Sequence, residues 1–131
     1  MIYGIGTDIV AIDRLARMYA RHGEKAVERL LAPSEIAEFR QSRAPGRFLA
    51  KRFAAKEAFS KALGTGVRHP AGLTDIIVGH DALGKPILVY SRALGEHMAA
   101  SHLSAHLTLS DEKDYAVAFV VIECTVGHSH R

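Results

Sequence analysis

Cysteine is almost missing from this chain: Cys124 stands alone among 131 residues. A single thiol excludes an internal disulfide and fits a reducing compartment. No His and Asn context surrounds it, so it reads as an ordinary residue. Long apolar runs are missing too, and none could cross a bilayer as a helix. The opening Met1-Ile-Tyr-Gly-Ile-Gly-Thr-Asp8 has no basic leader, and Asp8 would interrupt the apolar core of a signal sequence. A cytoplasmic location with no membrane partner is expected. No repeat, low-complexity stretch or linker divides the chain. Residues 1–131 are therefore expected to form a single domain, with a disordered tail over about 125–131 that carries His128 and His130.

What is present is ordinary in bulk. Hydrophobic residues make up 48% and the formal net charge is +3, which suits a soluble domain with an acidic ligand or partner. Residues 2–10 predict a strand whose one face carries Ile2, Gly4, Gly6, Asp8 and Val10. That face is small in its middle, so another backbone should pack close to it. An amphipathic helix is predicted over 12–21, with Ile12, Leu15, Ala16 and Tyr19 as its apolar stripe. Arg14, Arg17 and Arg21 fall together on its far side. Further helices are predicted over 24–31 and from Pro33, then a long one over 46–63 that stops at Gly64. Strands follow over 73–80 and 87–90, a helix over 92–101, and a closing hairpin of 105–110 with 115–123. Helices mixed with antiparallel hairpins give α+β: a long central helix packed on a small antiparallel sheet.

The residues that could carry chemistry lie on the first strand and the long helix. Asp8 ends an otherwise apolar strand, as a turn or cap would, or as a ligand would. Glu57 and Lys61 are one turn apart on one helix face, bordered by Ala50, Ala54 and Ala58. A routine i,i+4 ion pair explains them alone. Together with Asp8 they can also make a Mg²⁺ site on a phosphate-bearing substrate, because Mg²⁺ takes one or two carboxylates plus phosphate oxygens. Lys61 would then hold a phosphate oxygen as a point charge. Gly64-Thr65-Gly66 follows a helix and lacks a Gly-Lys-Ser/Thr ending, so it is no Walker loop; it reads as a helix stop with room for ligand contact. His106 shares a strand face with Thr108 and Ser110, and a lone histidine on a strand is more often structural than catalytic. The arginine stripe lacks interleaved aromatics, so no nucleic-acid partner is expected, although it would suit an acidic protein.

Several of these motifs coincide with one family. Ile5-Gly6-Thr7-Asp8-Ile9-Val10 and Phe48-Leu-Ala-Lys-Arg-Phe53-Ala-Ala-Lys56-Glu57-Ala-Phe-Ser-Lys61-Ala-Leu-Gly-Thr-Gly66 resemble the signature segments of holo-[acyl-carrier-protein] synthases, the short bacterial phosphopantetheinyl transferases. Gly84-Lys85-Pro86 is similar to the family's middle turn, and Ala105-His106-Leu-Thr108-Leu-Ser110 with Tyr115-Ala116 to its last hairpin. The resemblance implies transfer of 4′-phosphopantetheine from coenzyme A to a serine of apo-acyl carrier protein, with adenosine 3′,5′-bisphosphate released. It implies Asp8 and Glu57 as Mg²⁺ ligands and Lys61 near the pyrophosphate, these three being catalytic. It implies substrate contacts at Lys61, Gly64, Thr65, Gly66, Gly84, Lys85, Pro86 and His106. The carrier would dock on the helix of Arg14, Arg17 and Arg21, and the enzyme would be a homotrimer with interfacial sites. Ile77 stands where many members have an acid, and Asp111 where some have histidine. The alternative is a non-catalytic module that binds a phosphorylated nucleotide or nucleic acid.

Overall fold

The computed structural model describes residues 1–125. Five helices and five strands follow in the order β1 (Ile2–Ala11), α1 (Ile12–His22), α2 (Glu24–Leu30), α3 (Pro33–Phe39), α4 (Pro45–Leu63), β2 (Ile76–His80), β3 (Pro86–Tyr90), α5 (Arg92–Ala100), β4 (Leu103–Asp111) and β5 (Tyr115–Cys124). The architecture is α+β, as expected. β1, β5 and β4 form an antiparallel sheet in that order, and β2 pairs with β3 in a separate hairpin. Most of the expected tail lies outside the described residues; Thr125 is inside them, its N–H donating to His102 O at 2.9 Å.

The 19-residue α4 is the core of the molecule. Leu49, Ala50, Ala54, Ala55, Ala58 and Phe59 on it are fully buried. Alanines at 50, 54 and 58 let the sheet approach, and the glycines of β1 complete the fit. A Cβ on Gly4 would stand 2.0 Å from Ala62 O, and one on Gly6 would stand 2.1 Å from Ala58 O. The close-packed backbone expected against the small face of β1 is thus α4 itself. Gly64 ends the helix in the left-handed region, with φ 89°.

Among the described residues no helix covers the other face of the sheet. Ile5 and Ile9 of β1 are 60% and 63% exposed, and Tyr3, Tyr115 and Phe119 are exposed beside them. Register carries this face across the sheet: Ile5 pairs with Val121 and Thr7 with Phe119, while on the other side of β5 His106 pairs with Val121 and Thr108 with Phe119.

Two details differ from the sequence reading. The second strand begins at Ile76, not at 73, because residues 72–75 make a turn closed by Asp75: its Oδ2 accepts the Gly72 N–H at 3.0 Å. Turn chemistry outweighs the apolar pattern there. In α1 only Leu15 of the apolar stripe is fully buried; Ile12 and Tyr19 pack at the core's edge. The two departures from the family's pattern also have local accounts. Ile77 faces Val89 across the β2–β3 hairpin. Asp111 accepts from Arg47 Nη1 at 2.7 Å, and that hydrogen bond holds its carboxyl below the ordinary range. Arg47 also donates to Glu112 O and Lys113 O, which ties the tip of the β4–β5 hairpin to the start of α4.

Candidate active site

Asp8 and Glu57 meet at the seam between β1 and α4. Gly6 brings the strand against the helix, and two residues on, the same face turns Asp8 toward it. Lys61 Nζ donates to Asp8 Oδ1 at 3.1 Å and to Thr7 O at 3.0 Å. The routine i,i+4 alternative, a Glu57–Lys61 pair, is not formed: the lysine reaches across to the strand, where a carbonyl and a carboxylate are both within its range. Among the described residues Glu57 makes no ion pair within 4.0 Å. Partial burial, and then the negative charge of Asp8, push the Glu57 carboxyl above its ordinary value; Lys61 and Arg14 pull the other way. A carboxyl whose charge is disfavoured by burial and by a neighbouring aspartate, with one lysine alongside, marks a site short of positive charge.

That shortage fits a divalent cation. The donors are hard oxygens, and among the described residues no cluster of three or more His, Cys, Asp or Glu side chains is placed to hold a metal. A cation here would need to complete its shell with substrate oxygens and water, as Mg²⁺ does.

Arg14 of α1 also bears on this seam. Its guanidinium lies 5.4 Å from the Phe53 ring centroid, and its charge acts on Glu57. Arg17 is exposed and pairs with Asp13 at 3.3 Å. Arg14, Arg17 and Arg21 share a shallow basic depression with Met18 and His22. Beside it an apolar groove of about 370 Å³ is walled by Met18, Leu30, Phe53 and Leu73, with Arg14, Lys25 and Arg29 on its rim.

The remaining predicted residues lie elsewhere. The Gly64 N–H donates to Ser60 O at 2.9 Å, so it caps the helix and is not free for a phosphate. Thr65 Oγ1 donates to Gly66 O at 2.8 Å, and Gly66 is also left-handed, with φ 70°. Gly84 and Lys85 belong to a turn in which Asp81 Oδ1 accepts the N–H groups of Leu83 and Lys85, each at 2.9 Å. Lys85, Pro86 and His106 line one groove of about 420 Å³, where β3 meets the outer face of the sheet. His106 Nε2 lies 3.2 Å from Glu123 Oε1. Strand alternation puts His106 on the face opposite Asp8, so one chain does not bring these two sets together.

Sequence reasoning missed the buried charges. They are Lys56, Glu35 and Arg52, and not the Glu57–Lys61 pair. Lys56 Nζ lies 2.6 Å from Glu35 Oε1, and Arg52 Nη1 lies 3.3 Å from Glu35 Oε2. The signal was available: Arg52 and Lys56 are i and i+4 on the stripe of Phe59 and Leu63, and two cations on an apolar face require an acid from elsewhere.

This α+β scaffold, with two carboxylates and a lysine where a strand crosses a long helix, is that of a phosphopantetheine-transferring enzyme. The family model described as the 4′-phosphopantetheinyl transferase superfamily matches residues 4–120. A holo-[acyl-carrier-protein] synthase of Dechloromonas aromatica (strain RCB) is 61% identical over 123 residues, 94% of this chain and 98% of that one. The crystal structure of the synthase from Neisseria meningitidis matches with a TM-score of 0.90 at 49% identity, covering 94% of this chain and 99% of that one. A synthase from Bacillus anthracis str. Ames in complex with CoA (3′,5′-ADP) matches with a TM-score of 0.81 at 38% identity, covering 95% and 99%. The chain belongs to the holo-[acyl-carrier-protein] synthase family of 4′-phosphopantetheinyl transferases and is an enzyme.

Proposed function

We propose that the enzyme transfers 4′-phosphopantetheine from coenzyme A to a serine hydroxyl of an apo-acyl carrier protein, with Mg²⁺ required and adenosine 3′,5′-bisphosphate released. The convergence of Asp8, Glu57 and Lys61 at the β1–α4 seam carries this reading. Asp8 and Glu57 would hold Mg²⁺, which when bound supplies positive charge to the pyrophosphate. Lys61 anchors Asp8 and adds a cation where charge builds on the leaving phosphate. As a metal ligand Glu57 would be a poor base, and water would then be the acceptor of the serine proton. A cytoplasmic setting belongs to the same reading and rests on the single cysteine. The test is the mass of an apo-acyl carrier protein after incubation with coenzyme A. We expect a gain of one 4′-phosphopantetheinyl group with Mg²⁺ and none with a chelator. No gain in either case, with tight RNA binding instead, would favour a binding module; equal gain in both would remove the metal.

The acidic carrier would dock on the basic face of α1. Arg14 is a poor probe of docking because it also acts on Glu57. Replacing Arg17 and Arg21 together by alanine should raise the KM for the carrier about tenfold and that for coenzyme A less than about twofold, with the difference shrinking in high salt. Equal changes in both constants would argue against docking here.

A homotrimer with interfacial sites explains two features at once. It covers Ile5, Ile9 and Phe119, and it lets the Lys85–His106 groove of one subunit complete the Asp8–Glu57 seam of another. Ile9→Glu should give a monomer by light scattering, together with loss of transfer activity. An active monomer would refute the shared site.

A further inference from the structure

Lys56 is fully buried, yet the chemistry at the β1–α4 seam does not use it. Its Nζ donates to Leu30 O at 2.7 Å, to Glu35 Oε1 at 2.6 Å and to Leu73 O at 2.7 Å. An ammonium has three protons, so its capacity is filled. Glu35 is equally occupied: beyond Lys56 and Arg52, it accepts from Ala32 N at 2.9 Å and Val78 N at 3.0 Å. Stability alone does not explain such a group, because a buried ion pair can often be replaced by apolar residues at no loss.

The two backbone partners of Lys56 supply the explanation. Leu30 ends α2, and Leu73 lies in the turn before β2. These segments are distant in the chain, and both wall the apolar groove beside α1, along with Met18 and Phe53. Arg14 and Lys25 on the rim give that groove the charge to receive an acidic helix. We propose that Lys56 is a positioning residue for carrier docking: its ammonium, neutralised by Glu35, fixes Leu30 and Leu73 at the spacing that admits an apolar side chain of the acidic carrier. This rests on the reading that the carrier docks on α1.

The test separates docking from folding. Lys56→Met alone takes from Glu35 the nearer of its two cations, leaving Arg52, and should lower the melting temperature. Lys56→Met with Glu35→Gln removes both charges, keeps an acceptor for the Arg52 guanidinium and the Val78 N–H, and should melt above the single variant, but it leaves the Leu30 and Leu73 carbonyls without their common donor. In this double variant the KM for a bacterial fatty-acid apo-acyl carrier protein should rise about tenfold, the effect of mis-setting an apolar pocket. The KM for coenzyme A and kcat should stay within about twofold. An unchanged carrier KM, or equal rises for both substrates, would overturn the proposal. Should the double variant not fold, hydrogen exchange of the parent decides. The carrier should protect amides of 27–31 and 72–76 together with α1, and protection confined to α1 overturns the role of Lys56. If the Arg17 and Arg21 replacements leave the carrier KM unchanged, the docking reading itself fails. If they raise it and the Lys56 double variant does not, only the positioning role fails.

Discussion

Gly6→Ala should cost about 3 kcal/mol or more of stability, at or beyond the upper end of what overpacking usually costs. The added Cβ would stand 2.1 Å from Ala58 O, 2.8 Å from Ala62 N and 3.0 Å from Lys61 Cβ. Two of these are backbone atoms of α4, held by the helix's own hydrogen bonds, so no side-chain rotation relieves them. The strand must move outward, and Asp8 moves with it. The melting temperature should fall by roughly 10 °C, and the folded remainder should lose transfer activity as well. Gly64→Ala provides the contrast. No atom lies within 4 Å of its added Cβ, and only the left-handed φ of 89° resists it, a penalty of about 1 kcal/mol. A Gly6→Ala protein that melts within two or three degrees of the parent would show that the seam is looser than these distances require.

The same seam shows how far the sequence could be read. Two glycines and an aspartate alternating on one strand face, and alanines spaced along a helix, can meet in few ways. The close approach of β1 and α4, and Asp8 beside Glu57, were legible for that reason. The stop at Gly64 was legible because a left-handed cap has so few alternatives. The partner of Lys61 was not: an i+4 glutamate and a strand aspartate are equally near on paper, and only the crossing of strand and helix decides between them. Glu35 was hidden because its role depends on Arg52, Lys56 and Val78 N, all remote from it in the chain. The outer face of the sheet gave a plain alternating pattern on β1, but nothing local says that its exposed side is also apolar on β5. Strand register supplies that. It also divides the expected substrate residues into two groups that a single chain keeps on opposite faces.

Glu57→Gln should lower turnover by about 10² to 10³-fold, the usual loss when one preorganised electrostatic contact to a reacting group is removed. Glutamine keeps the shape and one oxygen but gives up the charge a divalent cation requires. The protein should nevertheless stay folded and melt at or above the parent's temperature. Among the described residues the Glu57 carboxylate forms no ion pair within 4.0 Å, and partial burial and Asp8 both disfavour its charge. Removing that charge relieves the native state. The opposite signs give the measurement its force. A residue kept only for structure would lose stability and activity together when replaced, whereas one kept for a ligand loses activity while stability holds or rises. Calorimetric titration with Mn²⁺ in the presence of coenzyme A should show weakened metal binding in the same variant, independent of turnover. Near-parent turnover at limiting Mg²⁺ would remove Glu57 from the site. A lowered melting temperature with normal metal binding would return it to the ordinary role its helix first suggested.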